Sequence, residues 1–394
     1  MLNTQTEIPN GSFSLFPKTQ SHQSGVNNNS ITLILKITHN CNLQCKYCYY
    51  QRLQNSELPT ILGTSSIASI LEAAAYQWKK IRVIFHGGEP LLMKMSYFKE
   101  IIDIQRIIAQ KFSTEFENSI QTNGTIYSKK ISNFLQQNGV SVGISLDGFE
   151  NTHNANRKFA ITNQDSFERV VQNLDSFRAD GLRISAIVVA TRNVIRSPDN
   201  IYHFFKSRNI SFKINELVAT HQQPYILPSQ EEMASFLCRI FDLWFNDRVL
   251  PIIRIKPLSS ILASFWTGKI TDCTYQSNCT KYLSVETDGS IYVCGRFNHL
   301  SEFKLGNALV NAWPKMLSTP LTKDFHNRCC HLPKECQNCV WLTRCWGGCT
   351  ANAFMKEKSL FAKTPWCYSR RLVFSHILDV LTTTFGGEKN EPRK

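Results

Sequence analysis

The sequence predicts an α/β protein: a parallel sheet covered by helices, curved into a partial (β/α)6 TIM-like barrel, followed by a small cysteine-rich domain. Three observations carry this expectation. Six apolar, strand-like runs alternate with helix-period runs between about residues 31 and 220. Those runs are apolar enough to be buried on both faces, which is the habit of parallel strands flanked by helices. From Cys273 onward the texture changes to short strands, turns and cysteines, ending near Cys367.

Taken in order, residues 1–30 are rich in Asn, Ser and Gln and poor in large apolar side chains, so they read as a flexible extension. The barrel is expected over 31–228. Its strand candidates are 31–37, 82–88, 118–123, 140–148, 182–190 and 210–219, each followed by a helical pattern. A helix over 230–247, with apolar residues three and four apart, belongs to a linker expected at 229–272. Cys238 within it reads as a buried small hydrophobe rather than a ligand. The cysteine-rich domain is expected at 273–370, and an apolar helix with a charged tail closes the chain over 371–394. In barrels of this kind active residues gather where strands end and the following loops begin.

Composition narrows the class. At 394 residues and 42% apolar content the chain is long enough for one large domain and a smaller one. The N-terminus lacks the apolar core of a signal peptide, and no run approaches the length of a membrane span. Fourteen cysteines without an export signal point to metal ligation or redox chemistry in the cytoplasm, not to a disulfide framework. The formal charge of +14 suits an acidic peptide or a nucleic acid. The Lys and Arg residues are scattered, however, and no nucleic-acid-binding module is visible. Solvation of helix faces is the simpler account.

Cys41, Cys45 and Cys48 follow the first strand with the spacing C-x3-C-x2-C, and Tyr47 stands immediately before the last of them. One short loop thus supplies three thiolates. A 4Fe–4S cubane needs four ligands, so one iron stays open, as at a catalytic rather than a structural metal site. The plainer readings are three free thiols or a partial zinc site. The triplet resembles the signature of the radical S-adenosylmethionine (SAM) enzymes. That resemblance implies that the open iron binds the amino and carboxylate groups of SAM, and that an electron from the cluster cleaves the sulfonium to a deoxyadenosyl radical.

Further segments carry the same resemblance. His86-Gly87-Gly88-Glu89-Pro90 ends the second strand, and the matching GGEP segment in the family holds the SAM amino group, a role implied for Gly87, Gly88 and Glu89. Gln121 to Thr125 and Ile144 to Gly148 end the third and fourth strands. The serine of the latter segment helps bind the SAM carboxylate in similar maturases, which implies that role for Ser145. His153 and Arg157 form an H-x3-R stretch like the family's, and Arg157 suits a carboxylate. Asp147 and Glu216 are candidates to take up a departing proton, although an Asp-Gly turn explains Asp147 more simply.

The second cysteine field runs Cys273, Cys279, Cys294, then Cys336, Cys339, Cys345, Cys349 and Cys367. These intervals resemble the SPASM domain of peptide and protein maturases. The resemblance covers about 31–367 and implies two fully ligated auxiliary 4Fe–4S clusters. Cys273, Cys279, Cys294 and Cys349 would hold one; Cys336, Cys339, Cys345 and Cys367 would hold the other. Full ligation favours electron transfer or structural support over substrate binding. A double zinc-ribbon is the competing account, because zinc is also held by C-x2-C knuckles. Cys329 and Cys330 have no motif role.

The expected cofactors are therefore three 4Fe–4S clusters and SAM. The expected partners are a precursor peptide or protein substrate and a reductant such as flavodoxin or ferredoxin, with no membrane and no nucleic acid. The first reading of the reaction is side-chain cross-linking of a ribosomally made peptide through a C–C bond, as in cyclophane formation. Formylglycine formation and thioether cross-linking are the alternatives. In the anaerobic sulfatase maturases an aspartate that acts as base follows the cysteine matching Cys294, whereas Gly295 stands there in this chain, which lowers the formylglycine reading. Few residues precede the barrel compared with the leader-binding domain of thioether-forming maturases, so leader recognition is expected elsewhere, for instance by strand addition to a sheet edge. A non-catalytic Fe–S or zinc protein that binds nucleic acid is the reading from another class.

Overall fold

The computed structural model describes residues 29–50, 58–217, 226–276, 279–298 and 300–385. All but the last two residues of the N-terminal extension, the charged tail, and the sixth strand reading beyond 217 lie outside the described residues. Ten strands form one sheet: β1 (Ser30–Thr38), β2 (Lys80–Gly87), β3 (Glu115–Thr122), β4 (Ser141–Ser145), β5 (Ile184–Ala190), β6 (Ser211–Glu216), β7 (Ile255–Lys256), β8 (Tyr282–Val285), β9 (Ser290–Val293) and β10 (Lys304–Asn307). Their spatial order is β10-β9-β8-β1-β2-β3-β4-β5-β6-β7. From β8 through β1 to β7 every pairing is parallel, and only the β8–β9–β10 meander is antiparallel.

The six expected β-then-α units are present. Helices Thr64–Ala75, Met95–Phe112, Lys129–Gln137, Phe167–Ala179, Pro198–Ser207 and Gln230–Asn246 follow β1 to β6 in turn. The last begins with a capping box in which the Ser229 side chain accepts from the Glu232 N–H and the Glu232 side chain accepts from the Ser229 N–H. Three features were not expected. Strand β7 extends the sheet within the 229–272 stretch; at two residues it is too short to show a period. Strand β8 pairs with β1, so the cysteine-rich segment continues the barrel sheet. The closing helix spans Cys367–Phe385 and starts before the expected boundary at 371, because Cys367 is itself its first residue.

Alternation along the strands decides what faces the barrel interior. In β2, Phe85 lies edge-on to Phe98 of helix Met95–Phe112, with ring centroids 5.5 Å apart, so the odd-numbered set points to the helical layer. Leu35 pairs with Phe85 and Lys36 with His86, which puts Lys36 and His86 together on the inner face. The odd residues of β1 (Leu33, Leu35 and Ile37) are fully buried beneath the helices.

One buried ion pair ties the last long barrel strand to the closing helix. Arg370 donates from Nε to Glu216 Oε1 at 2.9 Å and from an Nη to Oε2 at 2.7 Å, a bidentate fork. Asn352 adds a third donor to Glu216 at 3.1 Å. Breaking such a pair leaves a buried charge uncompensated. Glu216→Gln is therefore expected to lower stability by roughly 3–5 kcal/mol in urea unfolding. The Glu216→Leu/Arg370→Met double variant should recover much of that loss.

Candidate active site

The loop carrying Cys41, Cys45 and Cys48 is fixed on both sides by backbone. On one side the N–H groups of Gly88 and Glu89 donate to the carbonyls of Thr38 and Asn40, each at 2.7 Å. A Cβ at Gly88 would overlap the Asn40 carbonyl, and Gly87 has φ +126° with Thr38 equally close. Only glycine admits this approach. On the other side Gln44 and Lys46 donate to the carbonyls of Lys158 and Asn156 at 2.9 and 3.0 Å, and Ala160 donates to Asn42 at 2.9 Å. The H-x3-R stretch thus serves as a docking edge for the cysteine loop.

All three thiols are free and half-buried. Asn123 Nδ2 donates toward Cys41 Sγ at 3.8 Å, and Arg157 Nη1 toward Cys45 Sγ at 3.7 Å. Burial pushes Cys41 up to about 11 and Cys45 up to about 12. Ligation of a metal by these thiols therefore releases their protons. Donors aimed at sulfur on a single loop suit a metal cluster that leaves one corner open.

Glu89 is completely buried and faces the end of β3 rather than the loop mouth. Its carboxylate accepts from Thr122 Oγ1 at 2.7 Å, Asn123 N at 2.6 Å and Leu91 N at 2.9 Å. Asn123 in turn donates to Asn42 Oδ1 at 2.8 Å, closing a chain from Glu89 to the cysteine loop. Ser145, at the end of β4, accepts from Gln121 Nε2 at 3.0 Å.

Arg157 is paired with Asp147 at 2.9 Å, and its guanidinium lies 5.2 Å over the Tyr47 ring. Tyr47 also donates to Asp147, and the Val189 N–H adds a further donor at 2.9 Å. Asp147 is therefore wholly occupied. Glu216 is likewise held by Arg370 and Asn352. Both carboxylates are engaged by donors rather than standing open toward a substrate, which corrects both sequence candidates. His153 is buried against Ser166, and burial lowers it to about 3, so it stays neutral.

The eight downstream cysteines fall into two neighbourhoods. Cys273 and Cys279 each have Cys294 and Cys349 among their charged neighbours. Cys336 has Cys339, Cys345 and Cys367. Those last four line a cavity of about 300 Å³, which leaves room for more than a single ion. The chain reverses sharply between the two sets: Trp346, Gly347 and Gly348 all have positive φ between Cys345 and Cys349. Arg328, fully buried and with no carboxylate partner among the described residues, donates to the carbonyls of Leu360, Trp346, Gly347 and Ala362 and has Cys279, Cys336, Cys345 and Cys349 around it. Arg296 donates to Cys349 Sγ at 3.5 Å and to Asn352. Among the described residues, no group of three or more His, Cys, Asp or Glu is drawn together tightly enough to hold a single metal ion. Cys329 and Cys330 have their sulfurs 3.7 Å from each other.

Sequence reasoning missed Lys36, Arg296, Arg328 and Arg370. A lysine in the middle of an apolar strand was the one visible signal. The arginines had none, since their partners are far away in sequence.

Comparison with known proteins places these features. Residues 35–205 match the family described as the Radical SAM superfamily. The cysteine-type anaerobic sulfatase-maturating enzyme of Clostridium perfringens (strain 13) is 29% identical over 358 residues, covering 87% of this chain and 95% of that protein. The serine-type anaerobic sulfatase-maturating enzyme of Bacteroides thetaiotaomicron is 28% identical over 341 residues, covering 80% and 81%. The solved structure of native anSMEcpe with bound AdoMet and Cp18Cys peptide superposes with a TM-score of 0.82 at 26% identity, over 91% of this chain and 100% of that one. Streptococcus suis SuiB bound to precursor peptide SuiA, at 17% identity and a TM-score of 0.60, shares the fold.

Glu89 provides a pH test of the site's geometry. Burial raises its carboxyl to about 7 despite three donors. The folded state therefore prefers the protonated form, and stability falls as pH rises from about 4.5 to about 7, then levels. In urea unfolding of the apoprotein, wild type should lose about 3 kcal/mol relative to Glu89→Gln between pH 4.5 and 8.

Proposed function

We propose that this chain, which carries a radical SAM domain, is a peptide-modifying maturase of the sulfatase-maturating type that oxidises a substrate side chain to an aldehyde. The observation that carries the reading is the likeness to sulfatase-maturating enzymes over 87% of this chain in sequence and 91% in structure, through both the barrel and the cysteine-rich region. It reverses the ranking drawn from sequence. The likeness to SuiB, a protein solved with a precursor peptide, extends to the fold alone, whereas the sulfatase-maturase alternative has support in sequence and structure together.

Cys41, Cys45 and Cys48 would hold a 4Fe–4S cluster and, with it, SAM; when bound, the two would supply a deoxyadenosyl radical able to take a hydrogen atom from a substrate side chain. Asn123 and Arg157 steady the sulfurs of Cys41 and Cys45 through donors, and Asp147 keeps Arg157 aimed. Gly87 and Gly88 present bare backbone to the SAM amino group, while Glu89 acts as the bolt behind them rather than as an exposed acceptor. Ser145, oriented by Gln121, meets the SAM carboxylate. The two downstream sets, Cys273/Cys279/Cys294/Cys349 and Cys336/Cys339/Cys345/Cys367, would hold auxiliary 4Fe–4S clusters. Arg296 and Arg328 offset their negative charge. A one-electron reductant such as flavodoxin or ferredoxin starts the cycle, and the substrate is a peptide or protein segment.

Protein reconstituted anaerobically should release 5′-deoxyadenosine from SAM under dithionite, and Cys41→Ala, Cys45→Ala or Cys48→Ala should each abolish that release. Incubated with the Cp18Cys peptide, wild type should yield an aldehyde that a hydrazide reagent traps. A peptide that loses two hydrogens without forming an aldehyde would return the reading to cross-linking.

A further inference from the structure

Lys36 is fully buried on β1, and among the described residues no carboxylate pairs with it. Its partners are neutral. Nζ donates to Tyr49 Oη at 3.3 Å and faces His86 Nδ1 at 3.4 Å, with the centre of the Tyr50 ring 4.6 Å away. His86 Nδ1 also accepts the Gly87 N–H at 2.7 Å, and burial together with Lys36 holds the ring well below its ordinary pKa. These groups orient the cation and leave its charge uncancelled. A buried cation in that state is costly until an anion is supplied.

Gly295, directly after Cys294, makes room for Lys36: a Cβ there would lie 3.4 Å from Lys36 Cε and Nζ. Cys294 has Arg296, Lys36 and Cys349 among its charged neighbours. Lys36 thus faces the set Cys273/Cys279/Cys294/Cys349. A 4Fe–4S cubane on four thiolates is anionic, and reduction adds a further negative charge. The other cations near the two sets are shared or paired. Lys213, near Cys273, is paired with Asp272 at 2.9 Å, and Arg296 has Glu216 among its charged neighbours. Arg370, near Cys345, is paired with Glu216 at 2.7 Å, and Lys363, near Cys336 and Cys367, with Glu335. Arg328 has cysteines of both sets around it and favours neither.

We propose that Lys36 acts through the auxiliary cluster on Cys273, Cys279, Cys294 and Cys349, as a fixed counter-charge that raises its reduction potential. The inference rests on the cluster assignment made above and adds a residue that tunes it. A fixed positive charge favours the more negative, reduced state, and does so more strongly in a dry interior than in water. The couple takes one electron from the one-electron reductant and no proton. Lys36 keeps its proton throughout.

The test is a mediated redox titration of anaerobically reconstituted holoenzyme, followed by electron paramagnetic resonance. The signal missing from Cys294→Ala protein belongs to the first auxiliary cluster, and the one missing from Cys367→Ala protein to the second. Lys36→Met and Lys36→Gln should each lower the first potential by at least about 59 mV, a tenfold change in a one-electron equilibrium constant. Both should leave the second potential unmoved, and Lys36→Arg should keep the wild-type value of the first. An unchanged first potential in a neutral variant, or an equal shift of both potentials, overturns the proposal. A second arm needs no neutral variant: with 15N-lysine, the reduced first-cluster signal should show a dipolar 15N coupling that weakens in Lys36→Arg. Absence of that coupling, or its full persistence in Lys36→Arg, overturns the proposal even if both neutral variants fail to fold. If Cys294→Ala removes neither iron nor a signal, the cluster assignment falls and the proposal with it. An intact cluster indifferent to Lys36 overturns the proposal alone.

Discussion

The site depends on a backbone approach that only two glycines permit. Gly87 and Gly88 sit so close to Thr38, His39 and Asn40 that any side chain would collide with main-chain atoms. This contact locks the turn after β2 to the segment entering the cysteine loop. Glu89, the next residue, extends the lock to the end of β3 through Thr122 and Asn123. Asn123 then returns to Asn42 and Cys41. The presentation of three thiols is thus set by strand ends, not by the loop's own preferences, and a loop held this way costs little further ordering when metal binds.

The second constraint is continuity of the sheet. Because β8 pairs with β1, the cysteine-rich region is not a separate body hung from a linker. Glu286, directly after β8, accepts from Tyr50 of the first cysteine loop at 3.0 Å and meets His39 at 3.2 Å. On the opposite edge, Arg370 joins Glu216 of β6 to the neighbourhood of Cys345, 4.0 Å from its sulfur. Arg296 and Asn352 continue this polar path to Cys349. The two downstream cysteine sets are therefore linked by buried, charge-assisted contacts, and the first cysteine loop is tied to the same region through Glu286.

Much of this was legible in the sequence, for identifiable reasons. Strands β1 to β6 are long and apolar, and their helices are long enough to show a period, so their order could be read with ends shifted by a few residues. The cysteine triplet, the glycine pair and the eight later cysteines could be read because their chemistry fixes residue type and spacing. What stayed hidden depends on distance in sequence. The pairing of β8 with β1 joins residues some 250 positions apart and leaves no local pattern. Asp147 and Glu216 looked like available bases until the folded chain brought Arg157 and Arg370 to them. Lys36 lay inside an apolar run. Its place beside His86 came from strand register, which no local pattern shows.

The central claim is that one iron of a cluster on Cys41, Cys45 and Cys48 is open and takes SAM. Electron paramagnetic resonance of the dithionite-reduced protein, with the auxiliary sites removed by cysteine-to-alanine substitution, tests this most directly. Adding SAM should change the g-values of the remaining 4Fe–4S signal, and SAM labelled with 17O or 15N on its methionyl end should show hyperfine coupling to it. A spectrum that SAM leaves unaltered, with no coupling, would contradict the account.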